Sequence, residues 1–292
     1  MLPTLVVPVG TVLEYLCLRF AHIAQLVWCQ RMSDGLVVDA DRRPLSESTP
    51  YRAGLVVYYF RHVLQEPVLP YVETVLYADD YVVVADKPHF LPVTPSGPYV
   101  RETLLARLKS KLRLNQLSPM HRIDRDTAGL VLFCVQPQHR GAYQALFRDG
   151  KIRKQYEAIA PKLSMPLPHE IRLRLEDSAK GSPGFMQTRV VPGTPNSVTH
   201  IVSMSTIDEQ PDLARYTLQP VSGRRHQIRA HLNHINAPIV GDQIYPVLMP
   251  ERDISTGVHQ PLQLLAQRLK FTDPITHANR SFESNLALNL SL

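Results

Sequence analysis

Residues 121–135 constrain this chain more than any other stretch. Leu130 to Val135 is an uninterrupted apolar run of strand length, the pattern of a strand buried on both faces. Such a strand belongs in the interior of a sheet, with packing layers above and below it. It follows directly on His121-Arg122-Ile123-Asp124-Arg125-Asp126, a polar segment of alternating charge. A carboxylate at the mouth of a buried strand sits where burial and neighbouring cations can tune it. Asp124 and Asp126 both occupy such a position. From local sequence alone, a turn with a surface ion pair is the more ordinary outcome for them.

The rest of the chain supplies the partners of that strand. Tyr81 to Lys87 is a β-branched run opened by Asp79-Asp80 and closed by Pro88. Arg101 to Leu114 carries Leu104, Leu105, Leu108 and Leu112 on one helical stripe, and His139 to Asp149 returns to helical spacing before Gly150. Tyr156 to Ala160, Arg189 to Val191 and Arg215 to Gln219 read as further strands. After Pro220, Ser222-Gly223 turns the chain into a helix with Ile228, Leu232 and Ile235 on a core-facing stripe. The alternation is irregular and lacks a glycine-rich nucleotide loop, which argues against a doubly wound parallel sheet. The expected fold class is α+β, with a mixed, mainly antiparallel central sheet flanked by helices and loops.

Residues 1–70 read as a small α/β extension of their own. Val12 to Arg31 has helical spacing, Leu36 to Asp41 and Leu55 to Phe60 look like strands, and Gln65 to Pro70 has linker character because of its prolines. The larger domain is expected over 71–292.

Charge and cysteine content narrow the function classes. Between Arg101 and Gln155 there are twelve basic and four acidic residues, a local excess of +8 against +6 for the whole chain. Concentrated positive charge suits a polyanion such as RNA or DNA, although a solvated helix face gives the same count. Three cysteines, Cys17, Cys29 and Cys134, make no disulfide framework and no CxxC pair, which points to a reducing, cytoplasmic setting. The hydrophobic stretch from Val12 to Trp28 is broken by Glu14, Arg19 and His22, so no membrane association is expected.

A second polar cluster, Ser222 to Leu232, places a glycine before a helix rich in donors, a favourable phosphate-facing arrangement. Arg225 and Arg229 stand four residues apart and can share a helix face. His226, His231 and His234 lack nearby carboxylates and an HExxH pattern, so no metal is expected. A third cluster is Lys154-Gln155-Tyr156.

Together these segments resemble the RluA family of RNA pseudouridine synthases. His121 to Leu130 resembles the family's HRLDxxTSGL signature, with Ile123 for leucine and Ala128 for serine. Lys154-Gln155-Tyr156 is similar to its KxY, Ser222 to His231 to its TGRxHQIRxH, and Gly241 to Tyr245 to its GDxxY. Tyr77 to Gly97, with Asp86-Lys87-Pro88, resembles the segment that opens the catalytic domain. At Leu264-Leu265-Ala266 the histidine of many members is absent.

The resemblance implies an isomerase that converts specific uridines of ribosomal or transfer RNA to pseudouridine without a cofactor. It implies Asp124 as the catalytic carboxylate, Arg229 as its charge-assisted partner and Tyr156 as the residue against the uracil, able to assist proton removal from C5. Arg122 would occupy the space left by the flipped base. Arg125, Lys154, Arg224, His226 and Gln227 would contact the RNA. Asp126 is expected to face elsewhere as a structural anion. The order of helix and strands in residues 1–70 also resembles a reduced S4 RNA-binding module, the alternative being a small packing extension. A monomer is expected. Two rivals are an RNA-binding protein or chaperone that keeps the fold without turnover, and a glycosylase that cleaves without rejoining the base.

Overall fold

The computed structural model describes residues 1–4, 9–21, 23–60, 66–178, 186–249 and 260–290. The chain divides into two compact units, Met1–Glu66 and Pro67–Leu292. The first residue of the expected linker, Gln65, lies outside the described residues. Among the described residues no helix is long and apolar enough to cross a membrane.

In the first unit the stretch expected as one helix forms two, α1 (Val12–Arg19) and α2 (Gln25–Ser33), followed by the short antiparallel pair β1 (Val37–Val38) and β2 (Tyr58–Tyr59). Thr11 caps α1 by accepting from the Glu14 N–H, and Glu14 in return accepts from the Gly10 N–H. The break comes at Phe20, which leaves helical geometry at φ −126°. Its ring packs 5.6 Å from both Trp28 and Tyr59. No proline or glycine marks that break; the aromatic core determines it. Arg31 lies 4.9 Å over the Trp28 ring, inside that packing.

The second unit is built on β3 (Thr74–Ala78), β4 (Val82–Lys87), α3 (Leu104–Leu112), β5 (Ser118–Pro119), β6 (Ala128–Cys134), α4 (Arg140–Arg148) and β7 (Arg153–Pro161). It continues through β8 (His169–Asp177), β9 (Thr188–Val191), β10 (Ser197–Thr206), β11 (Leu213–Pro220), α5 (Gln227–His234), β12 (Leu264–Thr272) and β13 (Asn279–Glu283). These strands form an eleven-stranded mixed sheet with the order β3-β4-β6-β12-β7-β11-β10-β8-β9. β5 pairs with β6, and β13 with the far end of β12. Every pairing is antiparallel except that of β6 with β12. The fold is therefore α+β around a mixed, mainly antiparallel sheet, as the sequence implied.

All seven residues of β6 are buried. On one face Val131 and Phe133 join Val83 and Ala85 of β4 beneath Leu104 and Leu108 of α3. On the other, Leu130, Leu132 and Cys134 meet Tyr143 and Leu146 of α4 together with Leu269 and Phe271 of β12. Each fully buried aliphatic or aromatic side chain contributes about 1.5–3 kcal/mol relative to exposure, so these two layers anchor the strand that follows the acidic loop. A third core lies farther along the sheet, where Ile228 and Leu232 of α5 cover β7, β10 and β11.

The one parallel contact depends on a glycine. At Gly129 the backbone adopts φ +109°, and a Cβ there would fall 2.3 Å from the Ala266 carbonyl oxygen and 2.7 Å from its nitrogen. Only glycine allows β6 and β12 to approach this closely.

Candidate active site

The loop entering β6 is held by side chains that grip its backbone. The Asp124 carbonyl accepts from the Thr127 N–H, closing a turn just before the strand. Lys87, the last residue of β4, is 0% exposed, and its ammonium donates to the carbonyls of Pro88 and Arg125 at 2.9 Å each. His89 Nδ1–H donates to the Asp126 carbonyl at 2.7 Å. His121 Nε2 accepts the Leu132 N–H of β6 at 3.1 Å, and its ring stacks on Phe147 at 4.6 Å. Burial pushes Lys87 down to about 7, against the pull of Asp126 and Asp124. Burial likewise drives His89 to about 4 and His121 to about 3, so both are neutral imidazoles at physiological pH. Asp126 forms an ion pair with its neighbour Arg125 at 3.1 Å.

From the opposite side comes α5. His226 takes left-handed geometry at φ 50°, and the helix starts at Gln227. Arg229, 1% exposed, donates Nη1 to Asp124 Oδ2 at 3.0 Å. Its Nε and Nη2 reach the two oxygens of Asp242 at 2.8 and 2.6 Å. Asp242, also 1% exposed, accepts the N–H groups of Ile244 and Tyr245 on Oδ1. Its placement rests on Gly241, where φ is +78° and a Cβ would fall 2.3 Å from the Pro261 carbonyl oxygen. Burial alone would depress the Arg229 guanidinium, but Asp242 and Asp124 hold it firmly protonated.

Asp124 keeps 27% of its side chain exposed. Burial works to raise its carboxyl, yet the positive groups around it, His226 at 3.8 Å, Arg229 and Lys87, hold it below the ordinary carboxylate range. Because burial depresses both His226 and Lys87, Arg229 carries most of this effect near neutral pH. Tyr156, at mid-strand in β7 between Leu218 of β11 and Ala266 of β12, has its phenol pushed up by burial and then by Asp124.

All nine residues singled out from the sequence line one cleft of about 730 Å³: Asp124, Tyr156, Arg229, Arg122, Arg125, Lys154, Arg224, His226 and Gln227. Arg148 and Arg225 line it too, with Asp177 as the second acid beside Asp124. The lining is therefore strongly cationic, with Asp124 partly exposed and Asp177 exposed and facing Arg225. Arg122 is exposed and Arg224 donates only a long 3.4 Å bond to the Asn196 carbonyl. Lys154 donates to the Ser222 carbonyl at 2.8 Å, and burial lowers its ammonium to about 8.

Two expectations need correction. Gln227, expected among the RNA contacts, is buried and its amide is fully engaged inside the protein. It donates to the Val198 carbonyl and Thr199 Oγ1, and accepts from Ser222 Oγ and the Arg224 N–H. It shapes the 222–226 turn rather than presenting a free group. Arg225 and Arg229 do not point together, because Arg225 precedes the helix. Its guanidinium runs to the Met186 carbonyl and toward Asp177.

Sequence reasoning did not single out Lys87 or Asp242 as members of the site. Both lie in matched motifs, Asp86-Lys87-Pro88 and Gly241 to Tyr245, and a charged residue inside an otherwise apolar or glycine-bounded element was the available signal. Similarly, His231 turned out to be a core group whose Nε2 meets Ser197 Oγ at 2.8 Å.

Comparison with known proteins gives a consistent result. The RNA pseudouridylate synthase family profile matches residues 81–234. An uncharacterized RNA pseudouridine synthase of Synechocystis is 28% identical over 80% of this chain and 78% of its own. The tRNA pseudouridine synthase C of Haemophilus ducreyi is 30% identical, covering 69% of this chain and 86% of its own. The dual-specificity RNA pseudouridine synthase RluA of Pasteurella multocida is 27% identical over 75% and 94%. Among solved structures, human RNA pseudouridylate synthase domain containing 4 superposes with a TM-score of 0.55 at 25% identity, covering 73% of this chain and 88% of that one.

Proposed function

This chain belongs to the RNA pseudouridylate synthase family, as an RluA-type member and hence an isomerase acting on RNA, and from that premise we propose that Asp124 is its catalytic carboxylate and that its substrates are uridines in transfer or ribosomal RNA. The observation that carries this reading is the Asp124–Arg229 pair at the floor of a cationic cleft. Conversion to pseudouridine breaks the N1–C1′ bond, turns the uracil and joins C5 to C1′. The hydrogen on C5 leaves as a proton, and N1 ends up carrying one. One ionised carboxylate beside the sugar serves that chemistry, whereas hydrolysis of a glycosidic bond ordinarily takes two cooperating ones. Asp124 is ionised at neutral pH and partly exposed, while Asp242 has both oxygens occupied by Arg229 and backbone donors.

Tyr156 supplies a ring against the base. With its phenol raised by burial it stays protonated, so it acts through packing and its hydroxyl rather than as a phenolate base for C5. Arg122 and Arg224 reach into the cleft as phosphate or base contacts for an extruded nucleotide, and Lys154 supports the 222 turn from beneath. In the N-terminal unit, accessory RNA contact of S4 type rests on the exposed Arg19, Arg42 and Arg43.

The test is tritium release from transfer and ribosomal RNA labelled at uracil C5, comparing the wild type with Asp124→Ala. Release by the wild type alone is expected. Equal release by the variant would remove Asp124 from its role, and free uracil among the products would replace isomerisation by cleavage. RNA binding without release from either RNA would favour a binding protein on the same fold.

A further inference from the structure

Arg229 divides its donors unequally between two acids. Asp242 takes Nε and Nη2 in a two-point grip, and only Nη1 is left for Asp124. The grip is rigid from behind as well. Asp242 Oδ1 also accepts the Ile244 and Tyr245 N–H groups, and the glycine before it admits no Cβ. Two-point pairing of a guanidinium with a carboxylate fixes its plane, which a single contact does not. Asp124, by contrast, holds Arg229 through one oxygen, and its Oδ1 accepts no hydrogen bond from the described residues.

Had Arg229 faced Asp124 with the full fork, both Asp124 oxygens would be engaged and its charge largely cancelled. With two acids around one guanidinium the trio keeps a net charge of −1, offset in part by Lys87, and Asp124 is its exposed member. We infer that Asp242 is a positioning residue for the reaction: it orients Arg229 so that one donor steadies Asp124 while the other Asp124 oxygen remains free toward substrate. The inference rests on the role proposed for Asp124. It gives the GDxxY segment a task in the chemistry although Asp242 itself touches no reacting atom.

The direct test is Asp242→Asn. The amide oxygen can still accept the Ile244, Tyr245 and Arg229 Nη2 hydrogens, so the loop is kept, while the amide NH2 faces the Arg229 Nε–H and the two-point ionic grip is lost. On C5-tritiated RNA, the single-turnover rate should fall by about 10²-fold, the scale of loss when a reacting group is misplaced by about 1 Å. The Kd for the same RNA should stay within about twofold of wild type, since ground-state binding does not use the lost contact. Wild type and Asp124→Ala are run in parallel. An inactive wild type, or an Asp124→Ala variant that turns over normally, overturns the Asp124 reading and this inference with it. If those two behave as expected, an Asp242→Asn rate equal to wild type overturns this inference alone, as does a fall of rate and affinity by the same factor.

A second measurement does not require Asp242→Asn to fold. In protein labelled with ¹⁵N-arginine, the Arg229 Nε–H of Asp124→Ala should keep its slow hydrogen exchange, because Asp242 still holds it. Loss of that protection in Asp124→Ala would show that Asp124, not Asp242, orders the guanidinium, and would overturn the assignment.

Discussion

Substituting Gly129 by alanine tests the packing logic beneath the site most directly. An alanine at φ +109° costs about 1–3 kcal/mol in backbone strain. The new Cβ would also stand 2.3 and 2.7 Å from Ala266 backbone atoms, and backbone cannot swing aside as a side chain does. Overpacking of this kind adds about 1–3 kcal/mol, for a total of about 2–6 kcal/mol. At roughly 2–4 °C per kcal/mol for a domain of this size, the melting temperature should drop by about 5–20 °C. Gly141 in α4 is the matched control, since it has open space around its Cβ position and no positive φ. Gly141→Ala should be neutral or stabilising by up to about 1 kcal/mol. The assay is thermal and urea denaturation followed by far-ultraviolet circular dichroism, because the single tryptophan, Trp28, belongs to the other unit. A loss below about 1 kcal/mol for Gly129→Ala, or an equal loss for Gly141→Ala, would refute the close-approach argument.

Two other expectations follow from the charge distribution. RNA affinity should weaken steeply with salt: about four phosphate contacts, in the range that the cleft cations allow, predict a loss of about 50-fold between 50 and 200 mM. A flat filter-binding response would exclude the basic cleft as the RNA path. The folded-state pKa values of His89, His121 and His231, at about 4, 3 and 4, all lie below the ordinary 6.5. Between pH 6.5 and about 4 the unfolded chain therefore binds protons that the folded chain refuses. Stability should be full above pH 6.5 and fall as the pH drops, by up to about 2 kcal/mol per histidine at pH 5. Equal unfolding free energies at pH 7.5 and pH 5 would contradict that.

The buried strand and the loop before it were legible because their signals are local: the apolar run Leu130 to Val135 after a run of alternating charge. The cationic partner of Asp124 was reachable only through motif resemblance, since 105 residues separate it from Arg229. Asp242 and Lys87 carry only a weak local signal, a charge inside an apolar or glycine-bounded element, because burial at a charge is a property of the assembled sheet. β8 does carry a readable period-two signal, with Ile171, Leu173 and Leu175 between polar neighbours. The split of α1 from α2 has none, because the force that bends the chain at Phe20 comes from the distant Tyr59.

The position of β12 in the sheet has a consequence for how the protein is made. Strands β3, β4 and β6 form one ribbon, β7 to β11 another, and the seam between them is filled by residues 264–272. During translation both ribbons leave the ribosome well before the strand that joins them, and contacts spanning this many residues close late and slowly. Until that strand arrives, the Asp124 loop on one ribbon and Tyr156 on the other have no common scaffold. The nascent chain therefore carries its basic segment past a large ribosomal RNA surface while the cleft that would process a uridine does not yet exist. Competence waits for residues 264–272 by strand order alone.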